Sequence, residues 1–453
     1  MNFRFNPFDT ELKRIEPADL QKLIYVSEGW YVEYKSEVIP VKAIGKSISA
    51  FANQYGGWLV VGVKENPGTH TADSFPGIEE SAVYHFLQNI REASKDILNP
   101  EVFYEAREFK GPIQEINLPT GRSVIVVRVP PGAETPYIHA DGRVYRRVAD
   151  SSAPKPETDR STLDRLWDRA EKARMRLEKF VTRCPVTSKA EENHTYLHLS
   201  ILSDPYEVRG DWFNGTFADF SKIMRGNPIP FDNIYSSSGG FVARQTNGND
   251  PYHRILTWEF DLHCHSFITL PVNLSSEPYL PALISYSFGR QYNDLLDKAN
   301  VSSSRLLDLN IMLEALTGIV ARHRSLAMHA GVPGPFYVKA HLENVWRTVP
   351  FLDTEKFMVY VHENGIPVVQ EEDVLSPPGT ALETFVLLPE KTELSEDIKD
   401  SLIDAIRIGC FIFEALGVPR ELYVDDVSAL EELLQVGQRF KAAQQLRNAS
   451  AHR

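Results

Sequence analysis

The chain has 453 residues, 43% of them hydrophobic, and a formal net charge of −13. This length predicts two or three domains, and the acidic charge argues against non-specific coating of nucleic acid. The sequence has no apolar run near the length of a membrane span and no apolar signal core in its first residues. We therefore expect a cytoplasmic protein without a membrane partner.

The first 150 residues mix helical and strand patterns without a regular βαβ repeat. Apolar periodicity predicts helices at residues 17–26, 41–55 and 79–98. Apolar runs and period-two alternation predict strands at residues 28–35, 58–63, 102–109, 123–129 and 143–148. This pattern predicts an α+β domain over residues 1–150.

Three charged residues mark the first predicted strand. Glu28, Glu33 and Lys35 have the spacing E-x4-E-x-K, and Glu33 and Lys35 share one face because strand side chains alternate. Two carboxylates and an ammonium gathered there can hold a divalent cation and steady an activated water near a phosphate. The alternative is a solvated strand face, on which Glu and Lys commonly alternate.

A glycine-rich turn joins the second helix to the next strand. The helix ends at Asn53, and Gly56 and Gly57 follow, where glycine permits a tight turn or a close backbone approach. The run at residues 58–63, which includes Gly62, is continuously apolar. Such a run is typical of a buried central strand.

Basic residues surround the end of this domain. Arg143, Arg146 and Arg147 flank a strand, and residues 151–180 are predicted to form a Pro-rich linker and then an amphipathic helix with one basic face. Such faces are usually only solvated. Arginines there can also pair with phosphates and fix the register of a nucleic acid without reading its sequence.

Residues 181–453 are predicted to be a second α+β region, with a candidate subdivision near residue 331. We predict strands at 195–202 and 257–274, helices at 304–328, 395–416 and 427–447, and a hairpin of strands 357–362 and 366–370 joined at Glu363-Asn364-Gly365. Residues 1–180 carry 25 Lys and Arg against 26 Asp and Glu, which leaves 23 against 35 for the remainder. The acidic excess favours a protein partner or self-association for this region.

The cysteines and histidines do not complete a metal site by spacing. Cys184, Cys264 and Cys410 lie far apart and are odd in number, which predicts a reducing compartment and neither a disulfide framework nor a zinc site built on cysteines. His263 and His265 lie two apart on a predicted strand. Without a third and fourth ligand, hydrogen-bonded histidines are favoured over zinc ligands.

Five sequence blocks occur in the order found in one known family. They are E-x4-E-x-K at 28–35, AFAN-x-x-GG-x4-GV at 50–63, SVIVVRV at 123–129, TPY at 135–137 and GRVYRRV at 142–148 with the serines after it. Together they resemble the Schlafen-type AlbA-like domain of bacteria, archaea and animals, over roughly residues 15–170. The resemblance implies a nucleic-acid-binding or nuclease domain.

The resemblance also implies roles for individual residues. Glu28 and Glu33 match the family's two glutamates and Lys35 its following lysine, so these residues are candidate catalytic groups. Lys64 stands where the family pattern has an aspartate. The adjacent Glu65 could replace that carboxylate and hold Mg²⁺ or Mn²⁺ with Glu28 and Glu33. Alternatively, the site binds nucleic acid without cutting it.

Two functions therefore remain open. The first is a metal-dependent endonuclease, acting on RNA such as tRNA or on single-stranded DNA, with RNA favoured. The resemblance extends this to an effector role in bacterial anti-phage defence. The second is a non-catalytic DNA- or RNA-binding regulator that uses the same surface.

Overall fold

The computed structural model divides the chain into two compact units. The structure describes residues 5–10, 12–148, 151–185, 188–189, 191–192, 194–205, 215–226, 231–246, 255–273, 283–391, 393 and 398–422. The N-terminal unit comprises the described residues of Met1–Arg176, and the C-terminal unit comprises those of Leu177–Arg453. Both units contain helices and sheets, which confirms the α+β class.

The described residues of the N-terminal unit form short strands, three α-helices and some shorter helical turns. The helices are α1 (Val41–Ala52), α2 (Glu80–Glu92) and the beginning of α3 (Arg160–Val181), with a 3-10 helix at Pro17–Tyr25. The strands are β1 (Val32–Lys35), β2 (Gly57–Val61), β3 (Lys64–Glu65), β4 (Ala72–Ser74), β5 (Ile78–Glu79), β6 (Leu98–Asn99), β7 (Glu105–Lys110), β8 (Arg122–Val129), β9 (Ile138–His139), β10 (Tyr145–Val148) and β11 (Ser151–Pro156).

A five-stranded sheet in the order β1-β2-β8-β5, with β7 also paired to β8, lies between two apolar layers. The strand β1 runs parallel to β2, and the other pairings are antiparallel. Trp58 and Val60 pack into the layer formed with the N-terminal segment, whereas Leu59 and Val61 pack against the helices α1 and α2. The alternation along β1 therefore directs Glu33 toward α1.

The glycine turn and Asn53 fix the connection from α1 to β2. Gly56 has a φ of +77°, and a Cβ on Gly57 would lie 2.2 Å from the Phe51 ring. The buried Asn53 side chain donates to the carbonyls of Tyr137 and Tyr145 and accepts the Tyr137 N–H. This one amide thus ties the end of α1 to two later segments of the domain.

We expect Asn53→Ala to lower the free energy of unfolding of this unit by about 2–3 kcal/mol, because it strands one buried N–H and two carbonyls. The exposed Gln88, which bonds only to Tyr84 at 3.2 Å, provides the control Gln88→Ala. Urea unfolding followed by circular dichroism measures both variants. Equal stability of the two would contradict this role of Asn53.

The predicted linker is instead part of the fold. Residues Ser151–Pro156 form β11, which pairs antiparallel with β10. The following helix α3 is held by Arg169, whose guanidinium donates to the carbonyls of Ala52 (2.7 Å) and Gln54 (2.9 Å) at the end of α1. One member of the predicted basic face therefore caps another helix.

The C-terminal unit contains the end of α3, ten strands and five further helices among the described residues. The helices are α4 (Phe217–Arg225), α5 (Gly289–Lys298), α6 (Leu309–His329), α7 (Glu355–Asn364) and α8 (Ile398–Ala415). The strands are β12 (Tyr196–Leu202), β13 (Asn233–Ser237), β14 (Gly240–Arg244), β15 (Thr257–Asp261), β16 (Ser266–Pro271), β17 (Leu306–Asp308), β18 (Phe336–Glu343), β19 (Val349–Phe351), β20 (Val374–Ser376) and β21 (Val386–Leu388).

An antiparallel eight-stranded sheet is the centre of this unit. Its order is β13-β14-β15-β16-β12-β18-β20, and β21 also pairs with β18. Leu197 and Leu199 of β12 face an apolar cluster that includes residues of α6 and α8. None of the described helices is both long enough and apolar enough to cross a lipid bilayer.

Two predicted elements of this unit are wrong. The first strand of the predicted hairpin, 357–362, lies in the helix α7, which follows the N-cap Thr354 and is capped by Gly365 with a φ of +86°, and residues 366–370 form neither helix nor strand. The dipeptide Asn-Gly is common both in hairpin turns and at the ends of helices. Here Asn364-Gly365 ends a helix. The single strand predicted at 257–274 is two strands, β15 and β16. The helix predicted at 427–447 lies outside the described residues.

Candidate functional site

Glu33, one of the predicted metal ligands, is buried inside the N-terminal unit. Its side chain is 2% exposed. One carboxylate oxygen accepts from the Ser47 hydroxyl of α1 and from the Lys35 ammonium, both at 2.9 Å, and the other accepts from Arg147 at 2.7 Å. Both oxygens are therefore engaged by groups of the protein itself, and Glu33 holds Lys35 in position.

Arg147 is the buried partner of Glu33. Its side chain is 0% exposed, donates from two nitrogens to the Gly29 carbonyl at 2.9 and 2.6 Å, and stacks 5.0 Å from the Phe51 ring centroid. Burial lowers the pKa of the guanidinium, and the Glu33 carboxylate opposes that shift. The predicted phosphate contact of Arg147 is contradicted, because this side chain is buried inside the domain.

The strand predicted at 28–35 begins only at Val32, so Glu28 precedes β1. Glu28 lies against the β3–β4 hairpin. Its N–H donates to the His70 carbonyl at 2.6 Å, which brings its side chain beside Glu65. The Glu28 side chain is 1% exposed, and neither of its oxygens has a hydrogen-bond donor. Two carboxyl groups can bond to each other only when one of them holds a proton.

The pKa values of Glu28 and Glu65 are shifted in opposite directions. Burial, followed by the neighbouring Glu65, raises the pKa of Glu28 to about 8. Contact with Glu28 and with His70 lowers the pKa of Glu65. Near neutral pH the pair therefore shares one proton, which is the usual behaviour of two adjacent carboxyl groups.

This proton makes the stability of the unit depend on pH. Because burial raises the pKa of Glu28 in the folded unit to about 8 from its ordinary value of 4.5, its stabilising contribution is complete below pH 4.5 and is lost as pH rises through 8. We expect Glu28→Gln to gain on the order of 1–3 kcal/mol relative to wild type between pH 5 and pH 9.

Urea unfolding in metal-free buffer at both pH values measures the effect. The exposed Glu37 provides the control Glu37→Gln, for which the difference from wild type should not change with pH. Parallel pH profiles of wild type and Glu28→Gln would contradict the buried, protonated state of Glu28.

The predicted metal ligands are brought into one region but not to one point. Lys35 lies between them, 2.9 Å from Glu33 and 3.9 Å from Glu28. Among the described residues, Glu28, Glu33 and Glu65 do not form a group whose ligand atoms all lie within 4.8 Å of one another. The Glu28 oxygens have no hydrogen-bond donor and Glu65 pairs with His70 through one oxygen, whereas both oxygens of Glu33 accept hydrogen bonds from the protein. The neighbouring Lys64 is exposed.

An aromatic surface next to Glu28 was not predicted from the sequence. Glu28 lines a surface cavity of about 380 Å³ together with Tyr25, Trp30, Tyr31 and others. Tyr25 is 83% exposed, and Tyr55 makes ring contacts with Trp30 and Tyr31 at 6.1 and 6.2 Å. The aromatic residues that flank the first glutamate and precede the glycine pair were the available signal.

The other two predicted phosphate-binding residues differ in exposure. Arg143 is exposed, whereas Arg146 is partly exposed and its Nε lies 2.6 Å from the buried Glu157 carboxylate. Lys46 of α1 stacks 5.1 Å over the Tyr145 ring and lies 3.9 Å from Asp141. Basic groups are therefore available on the surface around α1 and β10.

Comparison with known proteins assigns the first domain. Residues 28–156 match the family described as Schlafen, AlbA_2. The N-terminal unit therefore contains a Schlafen AlbA_2 domain, which confirms the resemblance, and this domain indicates a nucleic-acid-related function. A search of curated proteins gives no match.

Two solved structures show limited similarity. The N-terminal domain of a RecG-related protein from Nitrosomonas europaea is 21% identical, covers 32% of this chain and 86% of its own, and has a TM-score of 0.20. The DIP2311 protein from Corynebacterium diphtheriae is 12% identical, covers 69% of this chain and 77% of its own, and has a TM-score of 0.22. At these scores neither structure informs the architecture or the function.

Proposed function

We propose that the Schlafen AlbA_2 domain cleaves RNA or single-stranded DNA, with a divalent cation held by Glu28 and Glu65. The observation that carries the proposal is the buried Glu28 carboxyl, whose two oxygens have no hydrogen-bond donor although Glu65 lies beside it. Ionisation of a buried carboxyl is costly when its oxygens accept no hydrogen bond, and a bound cation or a retained proton removes that cost.

These two residues fit Mg²⁺ or Mn²⁺. Both ions prefer oxygen ligands and are commonly held by one or two carboxylates, with water and substrate phosphate completing the shell. Glu33 is left out of the metal set because its oxygens already accept from Ser47, Lys35 and Arg147. When bound, such an ion supplies positive charge to a scissile phosphate and lowers the pKa of a bound water.

Lys35 is the residue that we propose to contact the phosphate. Its side chain is 29% exposed, and Glu33 fixes its ammonium at 2.9 Å. An ammonium held in this way can donate to a non-bridging oxygen and stabilise the negative charge that develops there. Arg147 acts as a positioning residue, because it orients Glu33 from below.

The aromatic cavity supports a single-stranded substrate. Exposed rings such as Tyr25 and Tyr55 can stack on unpaired bases, which is sequence-tolerant because every base has a π-face. Arg143 and Arg146 remain our candidates for contacts with the phosphate backbone, and each such contact contributes to the salt dependence of binding. RNA is favoured over DNA by the resemblance alone.

The second candidate is a DNA- or RNA-binding regulator without catalysis. Two observations favour it: Glu33 is neutralised by Arg147 and Lys35, and the exposed Lys64 occupies the position of an aspartate in the family pattern. In that case the same surface binds nucleic acid, and chelation of metal leaves binding unchanged.

A cleavage assay separates the two candidates. Wild type, Glu28→Gln and the exposed control Glu37→Gln are incubated with Mn²⁺ and either tRNA or single-stranded DNA. The nuclease proposal predicts cleavage by wild type and Glu37→Gln, and a loss of about 100-fold or more in Glu28→Gln. If no protein cuts but all shift the nucleic acid in a gel with EDTA present, the regulator is supported and the nuclease is excluded.

We also propose that the acidic C-terminal unit contacts a protein partner or a second copy of this chain, and that the whole protein acts in anti-phage defence. The support is the charge distribution and the resemblance. Light scattering after size exclusion tests self-association, and plaque counts with and without Glu28→Gln test the defence role. A monomeric protein that pulls down no other protein would contradict the first proposal. Equal plaque counts with wild type and with Glu28→Gln would contradict the second.

A further inference from the structure

A face of the eight-stranded sheet carries a polar cluster that the proposed function does not use. Strand register places His198 opposite His341 on one neighbour and opposite Thr269 on the other. Glu343 lies two residues beyond His341 and therefore shares its face. The neighbouring residues of these strands, such as Leu197 and Leu342, point to the opposite face and the apolar core.

Cys184 completes this cluster from the segment that follows α3. Its sulfur lies 3.6 Å from the His341 Nδ1. The ligand atoms of Cys184, His198 and Glu343 all lie within 4.8 Å of one another. Cys184 is exposed whereas His198 is buried, so the cluster is open to solvent on the cysteine side and anchored on the other.

The hydrogen bonds of His198 suit a metal ligand. Its Nε2 lies 2.8 Å from the Glu343 carboxylate, and its Nδ1 lies 3.0 Å from the Thr269 hydroxyl. A hydroxyl can accept a hydrogen bond as well as donate one. In the tautomer with its proton on Nδ1, the His198 Nδ1–H donates to Thr269, and the Nε2 lone pair can bind a metal ion. Metal-binding histidines are commonly oriented in this way by a partner on the second nitrogen.

We propose that Cys184, His198 and Glu343 bind a Zn²⁺ ion, with His341 beside the sulfur. Thiolate, imidazole and carboxylate are the three ligand types of protein zinc sites, and a sulfur ligand selects against Mg²⁺ and Ca²⁺. Zinc ligands at about 2.0–2.3 Å from the ion stand about 3–4 Å apart, so the cluster needs only side-chain adjustment. The ion would fasten the segment after α3 to β12 and β18.

Cobalt substitution tests the proposal, because Co²⁺ bound to a thiolate gives a near-ultraviolet charge-transfer band. The full-length protein is stripped with a chelator and titrated with Co²⁺ and then with Zn²⁺. We expect one Co²⁺ per chain with this band, displaced by Zn²⁺. Cys184→Ser should abolish the band, and His198→Gln should weaken binding by about 100-fold.

Two control variants assign the signal to this cluster. Cys410→Ser alters a buried cysteine elsewhere and Glu28→Gln alters the site in the other unit, so both should keep the band. Circular dichroism verifies that Cys184→Ser, a change at an exposed position, remains folded. Wild type that neither retains Zn²⁺ nor gives the band, or a band that persists in Cys184→Ser, would overturn the proposal.

Discussion

Arg147→Ala is expected to lower the free energy of unfolding of the N-terminal unit by about 3–5 kcal/mol, because removal of this partner leaves the buried Glu33 carboxylate with one oxygen unpaired. The lost contacts are the 2.7 Å pair with Glu33, the two bonds to the Gly29 carbonyl and the packing on Phe51. The remaining Glu33 carboxylate is 2% exposed and would keep only Lys35 and Ser47. Urea unfolding followed by circular dichroism measures the change.

The exposed Arg143 provides the matched control, because Arg143→Ala removes the same side chain from the same segment without burial. We expect its free energy of unfolding to lie within about 0.5 kcal/mol of wild type. Equal losses in the two variants would refute the anchoring role of Arg147.

Asp404→Ala should destabilise the C-terminal unit by a similar amount, about 3–5 kcal/mol. Asp404 is fully buried on α8 and accepts from Arg324 at 2.7 and 3.0 Å, from Lys391 at 2.9 Å and from Arg407 at 3.1 Å. Without this carboxylate the buried Arg324 guanidinium loses both of its hydrogen bonds to Asp404 and keeps the one to the Pro389 carbonyl at 3.2 Å. Differential scanning calorimetry of wild type and variant measures the loss.

Glu414 on the same helix serves as the comparison. It pairs with Arg420 at 2.7 Å, but both side chains are substantially exposed, at 52% and 38%. Exposed pairs contribute about 0–1 kcal/mol, so Glu414→Ala should leave the melting transition nearly unchanged. A Glu414→Ala loss as large as that of Asp404→Ala would show that burial is not what makes this cluster stabilising.

Elements with a continuous or periodic apolar pattern were predicted from the sequence. The buried strand of residues 58–63 corresponds to β2, and the helix of residues 304–328 corresponds to α6. Elements that depend on tertiary pairing were not. Ser151–Pro156 is a strand only because β10 pairs with it, and a proline-rich segment carries no periodicity that would reveal such a partner.

The candidate site, too, was predicted from the sequence only in part. The spacing of Glu33 and Lys35 on one face followed from strand geometry, and their contact at 2.9 Å agrees with it. The burial of Arg147 did not follow, because its partner Glu33 lies more than 100 positions away in the sequence. The Cys184 cluster was not predicted for the same reason, since strand register places His198 opposite His341 and tertiary packing brings Cys184 to them.

Direct measurement of Mn²⁺ binding tests the central claim, that Glu28 and Glu65 form a divalent-cation site. Electron paramagnetic resonance reports free Mn²⁺ during titration of metal-free wild type, Glu28→Gln and Glu37→Gln. We predict one site in wild type and in Glu37→Gln, and an affinity lower by about 10-fold or more in Glu28→Gln. Equal Mn²⁺ affinity in all three proteins, or no binding by wild type, would contradict the claim.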